Sequence, residues 1–72
     1  MNFSDALTAI RNGGKAARAG WNGIGMWVAL RHPEPASHIT NPYLYIHTVT
    51  GDEVPWVTSQ TDILAEDWNV IP

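Results

Sequence analysis

Apolar residues near the start of the chain follow a helical pattern. They recur at the three- and four-residue spacing of one helical face, at Phe3, Ala6, Leu7 and Ile10. Asn2 can cap this helix, and Gly13 can end it in the left-handed backbone conformation. We therefore expect a helix over residues 3–12 that covers one face of a sheet.

Alternating side chains predict that the best strand of the chain is Met26–Arg31. One face carries Met26, Val28 and Leu30, and the other carries Trp27, Ala29 and Arg31. Both faces are largely apolar, so this strand suits a helix on one side and another subunit or a ligand on the other.

Further strands are expected to complete an antiparallel sheet. Tyr43–Val49 alternates aliphatic side chains with aromatic and polar ones, and Glu53–Val57 should return beside it after a turn at Thr50–Asp52. Because Pro55 lacks a backbone donor, the returning strand should lie at a sheet edge or end near this residue. The shortest candidates are Lys15–Ala19 and Trp68–Ile71.

Two loops interrupt these strands. Gly20–Gly25 contains three glycines and an Asn-Gly pair, which are typical of a tight turn. Trp21 in this loop is either a stacking platform for a ligand or a plug that closes a small core, and its sequence context is compatible with both. Residues 32–42 form a long connection, because three prolines exclude regular structure there.

The stretch Val54–Trp68 places a helix-start signal between two tryptophans. Ser59 with Asp62 predicts a short capped helix before the last strand. Such a helix N-terminus presents unpaired N–H groups and a partial positive charge, so it could receive a phosphate while Trp56 stacks on a base. The alternative is that both tryptophans simply belong to the core.

The expected fold is α+β, one domain over residues 1–72, with a small antiparallel sheet packed by the N-terminal helix and a short helix before the last strand. We assign Ile63, Leu64 and Trp68 to its core. A chain of 72 residues buries only about 60% of the surface of its unfolded form, so its core needs a supplement. Disulfides are excluded because cysteine is absent, and the three histidines have no zinc-ligand spacing, so oligomerisation is favoured.

Charge and composition limit the partners and the location. The net charge is -3 with four fixed cations, which argues against a nucleic acid polymer, although one or two arginines suffice for a small anion. No signal peptide and no apolar run of membrane-spanning length are visible, so we expect a soluble, cytoplasmic protein without membrane contact.

Candidate chemistry favours binding over catalysis. A nucleotide hydrolase would use Asp62 and Glu66, but these carboxylates are better explained as complements to a short helix and its solvated edge. We therefore expect no catalytic residues, no metal and no cofactor. Stacking surfaces and polar side chains suitable for adenine recognition are instead concentrated in two loops.

Two motifs resemble one known family. The patterns R-x-G-W-N-G-x-G-M in residues 18–26 and P-W-x-x-S-Q-x-D-x-L-A-x-D-W in residues 55–68 resemble those of the Thoeris anti-defence type-two family of phage proteins. The resemblance covers nearly the whole chain apart from residues 32–41, a segment that is shorter here than in many relatives.

The resemblance implies a molecular sponge that sequesters glycocyclic ADP-ribose, a cyclic signal made by bacterial TIR-domain proteins, without degrading it. It also implies a homo-oligomer, tetrameric in characterised relatives, and cyclic dinucleotide sites in some of them. Carried over by motif, the expected ligand-binding residues are Trp21, Asn22, Gly23, Met26, Trp56, Ser59, Gln60 and Asp62. The alternative function is a small structural or protein-interaction module that binds a host protein.

Overall fold

A five-stranded antiparallel sheet carries one helix across one of its faces. The computed structural model describes residues 1–72, and the strand order is β4-β3-β2-β1-β5. The elements are α1 Phe3–Arg11, β1 Lys15–Arg18, β2 Trp27–Arg31, β3 Tyr43–His47, β4 Glu53–Pro55, α2 Gln60–Leu64 and β5 Trp68–Ile71. This arrangement confirms the predicted α+β fold. Neither helix is long and apolar enough to span a membrane.

Helix α1 begins at the predicted residue and ends at Arg11, one residue before the predicted end. The side-chain oxygen of Asn2 accepts a hydrogen bond from the backbone N–H of Asp5 at 2.9 Å, which satisfies one of the free donors of the first turn. After the helix, Gly13 has a φ of +96°, a conformation that favours glycine. Ala6 and Ile10 are fully buried, so α1 lays one apolar stripe on the sheet.

Strand pairing divides the sheet into two faces with different composition. Ala16 pairs with Val28 of β2 and with Val70 of β5, and these side chains share the inner face, the side covered by α1. The outer face, the side that α1 leaves open, carries alternate residues of β2 and β3, namely Trp27, Ala29, Arg31, Tyr43, Tyr45 and His47. The two faces predicted for β2 are therefore confirmed.

The core on the inner face is small. Six of 72 residues are buried, and five of them form one cluster between α1 and this face, while Ala29 lies on the outer face. The largest fully buried side chains are Trp68, Ile10 and Val28. The assignment of Ile63 and Leu64 to the core was wrong, because they are 45% and 76% exposed. Helix α2 has only five residues and meets α1 without a second layer above it, so its apolar side chains stay at the surface.

Four predicted strands are shorter than expected: β1 lacks Ala19, β2 lacks Met26, and β3 and β4 each lack their last two residues. Strand β3 ends at His47 because Thr48 already belongs to the turn, where its backbone N–H donates to Asp52 O at 2.8 Å and its hydroxyl accepts from the Asp52 N–H at 3.2 Å. Strand β4 ends at Pro55 and lies at the edge of the sheet, as the missing donor of that proline predicted.

Candidate functional site

Arg18, the last residue of β1, connects the two motif loops. The first loop is residues 20–26, and the second loop is residues 56–62. The Nε of Arg18 donates to Asp67 Oδ1 at 2.8 Å, and its Nη1 donates to Asp62 Oδ1 at 2.8 Å. Asp67 Oδ2 also accepts from the backbone N–H of Gly20 at 2.7 Å. The Arg18 side chain is 17% exposed, so this network is partly shielded from solvent. Charge-assisted hydrogen bonds are stronger there than at an open surface.

Asp62 is the acceptor at which both loops meet. Its Oδ1 accepts from the indole Nε1 of Trp21 at 3.1 Å as well as from Arg18. Its backbone N–H donates to the Ser59 hydroxyl at 3.1 Å, which is the predicted N-cap, and its carbonyl accepts from Trp68 Nε1 at 2.9 Å. One residue therefore fixes the start of α2, the first loop and the largest core side chain.

The carboxylates of this network are held in their charged form. Burial alone would raise the pKa of Asp62, but hydrogen bonds from Arg18 and Trp21 outweigh it and lower that pKa. The hydrogen bond from Arg18 is the main cause that lowers the pKa of Asp67. A general acid requires the opposite shift, so this environment favours ionised acceptors over proton transfer.

Beneath this network the aromatic cluster, defined as Phe3, Trp21, Trp56 and Trp68, packs rings from four parts of the chain. Trp21 lies 5.3 Å from Trp68 and 6.2 Å from Trp56 between ring centres, with interplanar angles of 78° and 72°. Phe3 lies 5.2 Å from Trp68. Edge-to-face geometry of this kind stabilises aromatic pairs beyond simple burial.

The expected binding residues of the first loop separate into two groups. Trp21 is half-buried in the aromatic cluster, while the side chain of Asn22 is exposed. Gly23 packs at the opposite side of the loop, where an added Cβ would meet the Cγ2 of Val49 and the sulfur of Met26. Gly23 and Met26 are thus joined to the β3–β4 turn.

The expected binding residues of the second loop surround the start of α2. Trp56 is half-buried in the aromatic cluster, and Ser59 is occupied as the N-cap of α2. Gln60 is exposed, and Asp62 is tied to the first loop. Trp21, Trp56 and Asp62 are therefore brought together, with Asn22 and Gln60 left as free amides.

Two cavities are present, and none of the eight expected binding residues lines either of them. The larger, of about 470 Å³, is a groove between α1 and α2 lined by Asn2, Phe3, Ser4, Leu7, Ile63, Leu64, Ala65 and Glu66. The smaller, of about 340 Å³, is lined by Arg31, His32, Pro33, Glu34, Ser37 and Tyr43. Within one chain, the two motif loops converge without enclosing a cavity between them.

The outer face carries a second aromatic group that motif analysis missed. His47 stacks on Trp27 with ring centres 4.8 Å apart and planes 2° apart, and the ammonium of Lys15 lies 4.2 Å from the centre of the Trp27 ring. Glu53 accepts from Arg31 at 2.7 Å and lies 3.1 Å from His47 Nδ1. Alternation in β2 and β3 was the available signal, because it places these side chains on one face.

No group of three His, Cys, Asp or Glu side chains is placed to hold a metal ion. Glu66, the second carboxylate of the hydrolase alternative, is exposed and lines the groove between the helices. Asp62 is occupied by Arg18 and Trp21. The arrangement therefore offers fixed stacking surfaces, ionised acceptors and exposed amides, which are groups suited to ligand binding.

Comparison with known proteins identifies the family. The model of the Thoeris anti-defense 2-like domain matches residues 1–71. The chain belongs to this family. Thoeris anti-defense 2 of Bacillus phage SP01 is 32% identical over 84 aligned positions, which cover 99% of this chain and 94% of the relative. The resemblance found in the two motifs is thus confirmed, and membership of the Thoeris anti-defense 2-like family supports a phage anti-defence role.

Proposed function

We propose that this chain is a sponge that binds and sequesters a TIR-derived cyclic ADP-ribose signal, glycocyclic ADP-ribose, without degrading it. Capture would deprive a host defence effector of its activator. The ligand-binding residues in this proposal are Trp21, Asn22, Gly23, Met26, Trp56, Ser59, Gln60 and Asp62, from the two motif loops.

The observation that carries the proposal is the meeting of the two loops at Asp62. Trp21 reaches Asp62 from the first loop at 3.1 Å, and its ring centre lies 6.2 Å from that of Trp56 in the second. Indole rings supply stacking of about 1 to 3 kcal/mol per base, and exposed amides such as Asn22 and Gln60 supply directional donors and acceptors. These are the components that adenine and ribose recognition require.

A second copy of the chain is part of this proposal. One chain does not enclose the motif loops, and its core cluster of five buried residues is small for an independent domain. We therefore propose a homo-oligomer, a tetramer on the pattern of its relatives, in which a neighbouring copy closes the ligand site. Separate cyclic dinucleotide sites belong to the same proposal.

A ligand-retention experiment tests the function. The purified protein is incubated with glycocyclic ADP-ribose, separated from free ligand and heat-denatured, and the released material is identified by mass spectrometry. Release of intact nucleotide is expected. Release of an altered nucleotide would indicate the hydrolase, and release of nothing would contradict the sponge.

Variants of the second loop connect retention to the site. Trp56→Ala and Asp62→Ala should weaken capture, and so should Gln60→Ala, whose exposed side chain can be removed without disturbing the core. Thr61→Ala is the matched control, because it is exposed on the same helix and outside the expected site. Unchanged affinity in all three site variants would remove the second loop from the binding site.

An interaction module that binds a host protein is the second candidate function. It is favoured by exposed apolar side chains around α2, where Val57 is 91% and Leu64 76% exposed. If this alternative holds, Leu64→Glu should abolish anti-defence activity in cells while nucleotide retention by the purified protein stays absent in variant and wild type alike.

A further inference from the structure

We propose that Arg18 is a positioning residue that sets the distance between the two nucleotide-binding loops. This inference rests on the proposed function, because it assigns Arg18 a role in capture without direct contact to the ligand. The guanidinium reaches three segments: the first loop through Asp67 and Gly20, the start of α2 through Asp62, and the approach to β5 through Asp67.

The geometry of the fork carries the assignment. Nε and Nη2 donate to the two oxygens of Asp67 at 2.8 and 3.4 Å, and Nη1 donates to Asp62 at 2.8 Å. Each nitrogen of the side chain thus has a carboxylate partner. A lysine carries the same charge at a single point and cannot reproduce these three bonds in one plane.

Trp21 is bonded to the same network through both its indole and its backbone. Its indole donates to the Asp62 oxygen that also accepts from Arg18, and its backbone N–H donates to Arg18 O at 3.3 Å. Moving the guanidinium therefore moves the acceptor of the indole. Loops that shift by about 1 Å lose much of the affinity of a pre-organised site.

A substitution at Gly20 is a second, independent way to perturb the same network. A Cβ at this position would lie 2.8 Å from Asp67 Oδ2 and 3.3 Å from Arg18 Nη2. The first loop can approach the ion pairs this closely only when residue 20 has no side chain. Gly20→Ala should therefore disturb the fork while leaving all its charges in place.

Arg31 shows why the role belongs to Arg18 and not to any paired arginine. Arg31 bonds one carboxylate, that of Glu53, and its side chain is 41% exposed. Arg18 bonds two carboxylates that lie 44 and 49 residues further along the chain, and its side chain is 17% exposed. Long-range, shielded contacts of this kind fix the relative position of distant segments.

The test compares Arg18→Lys and Gly20→Ala with Ile10→Val, a fully buried core change away from the network. The Ile10→Val variant controls for lost stability, since it should lower the melting temperature by a few degrees. Glycocyclic ADP-ribose retention should fall about tenfold or more in the two network variants and stay at the wild-type value in Ile10→Val. Wild-type retention in Arg18→Lys would overturn the positioning role.

A spectroscopic measurement keeps the two proposals separable. The indole N–H resonance of Trp21 in the ligand-free protein should shift in Arg18→Lys and in Gly20→Ala and not in Ile10→Val. If wild-type protein retains no nucleotide, the proposed function fails, and this resonance still reports whether Arg18 sets the position of Trp21. An unchanged resonance in both network variants would refute the positioning role, and Gly20→Ala alone decides if Arg18→Lys does not fold.

Discussion

The indole Nε1 of Trp21 donates a hydrogen bond to Asp62 Oδ1 over 3.1 Å, across 41 positions of sequence. The bond joins the glycine-rich loop after β1 to the first turn of α2, so it links the two segments that carry the family motifs. Because Arg18 donates to the same oxygen, the loop, the helix and the strand end form one polar unit above the aromatic cluster.

Trp21→Phe should remove this hydrogen bond while it keeps an aromatic ring in the cluster. A hydrogen bond to a charged group contributes about 1.5 to 3 kcal/mol to the free energy of unfolding, and the variant should lose about that amount in urea denaturation. Asn22→Ala, an exposed change in the same loop, should stay close to wild type. Equal stability of both variants would mean that the Trp21–Asp62 bond does not stabilise the fold.

Acid should weaken the network in a defined direction. The pKa values of Asp62 and Asp67 are lowered in the folded state, so their contribution to stability is present above the unfolded value of about 3.9 and is lost as pH falls through the lower folded values. The free energy of unfolding should therefore drop below about pH 4. Asp67→Asn should show a smaller acid-induced drop than Glu34→Gln, which changes an exposed loop carboxylate; identical pH profiles would contradict the role of Asp67.

Gly23→Ala should strain the junction between the first loop and the β3–β4 turn. The added Cβ would clash with Val49 Cγ2 and Met26 Sδ. Because Val49 is 62% exposed and can move aside, the cost should be at the low end for overpacking, about 1 kcal/mol. The second substitution Val49→Ala removes one of the two clashes, so the double variant should recover part of the lost stability. Failure of Val49→Ala to recover any stability would indicate that Gly23 does not pack against this turn.

Truncation should lower the free energy of unfolding much more at the buried Trp68 than at the exposed Leu64 of α2. Trp68 is fully buried, so Trp68→Ala should cost about 3 to 5 kcal/mol, a large part of the stability of so small a domain. Leu64 is 76% exposed, so Leu64→Ala should change stability by less than about 0.5 kcal/mol in the isolated chain. A large loss in Leu64→Ala would show that a second copy covers this side chain.

Assembly should appear as a molar mass above that of one chain. Light scattering coupled to size exclusion is expected to give a multiple of the single-chain mass, and dilution should lower both this mass and the melting temperature. A monomer at every concentration would contradict the proposal that a second copy closes the ligand site.

Much of the fold could be predicted because its signals are local. Asn2, Gly13 and Ser59 mark helix ends through contacts within a few residues, and the alternation over Trp27–Arg31 placed each side chain of β2 on the correct face. The exposure of Leu64 was missed because periodicity shows which residues share a face and does not show whether another element covers it.

Trp21, Trp56 and Asp62 of the two motifs meet, whereas Gly23 and Met26 pack at the β3–β4 turn. The fork at Arg18 was not predicted. Its partner Asp67 lies 49 positions away, and nothing in the local sequence of either residue marks the pairing. The stacking of Trp27 on His47 likewise depends on the register between β2 and β3. Contacts of this kind follow from strand pairing, which the sequence pattern alone leaves undetermined.

Trp27 lies apart from the other three tryptophans, since it occupies the outer face while they share the inner aromatic cluster. Because the ring of Trp27 stacks on His47 and the other three indoles pack together, emission from Trp27 will report on the surroundings of His47, whereas emission from the other three will report on the motif loops. The chain thus contains two intrinsic optical probes, and Trp27→Phe isolates the one that reports on the motif loops.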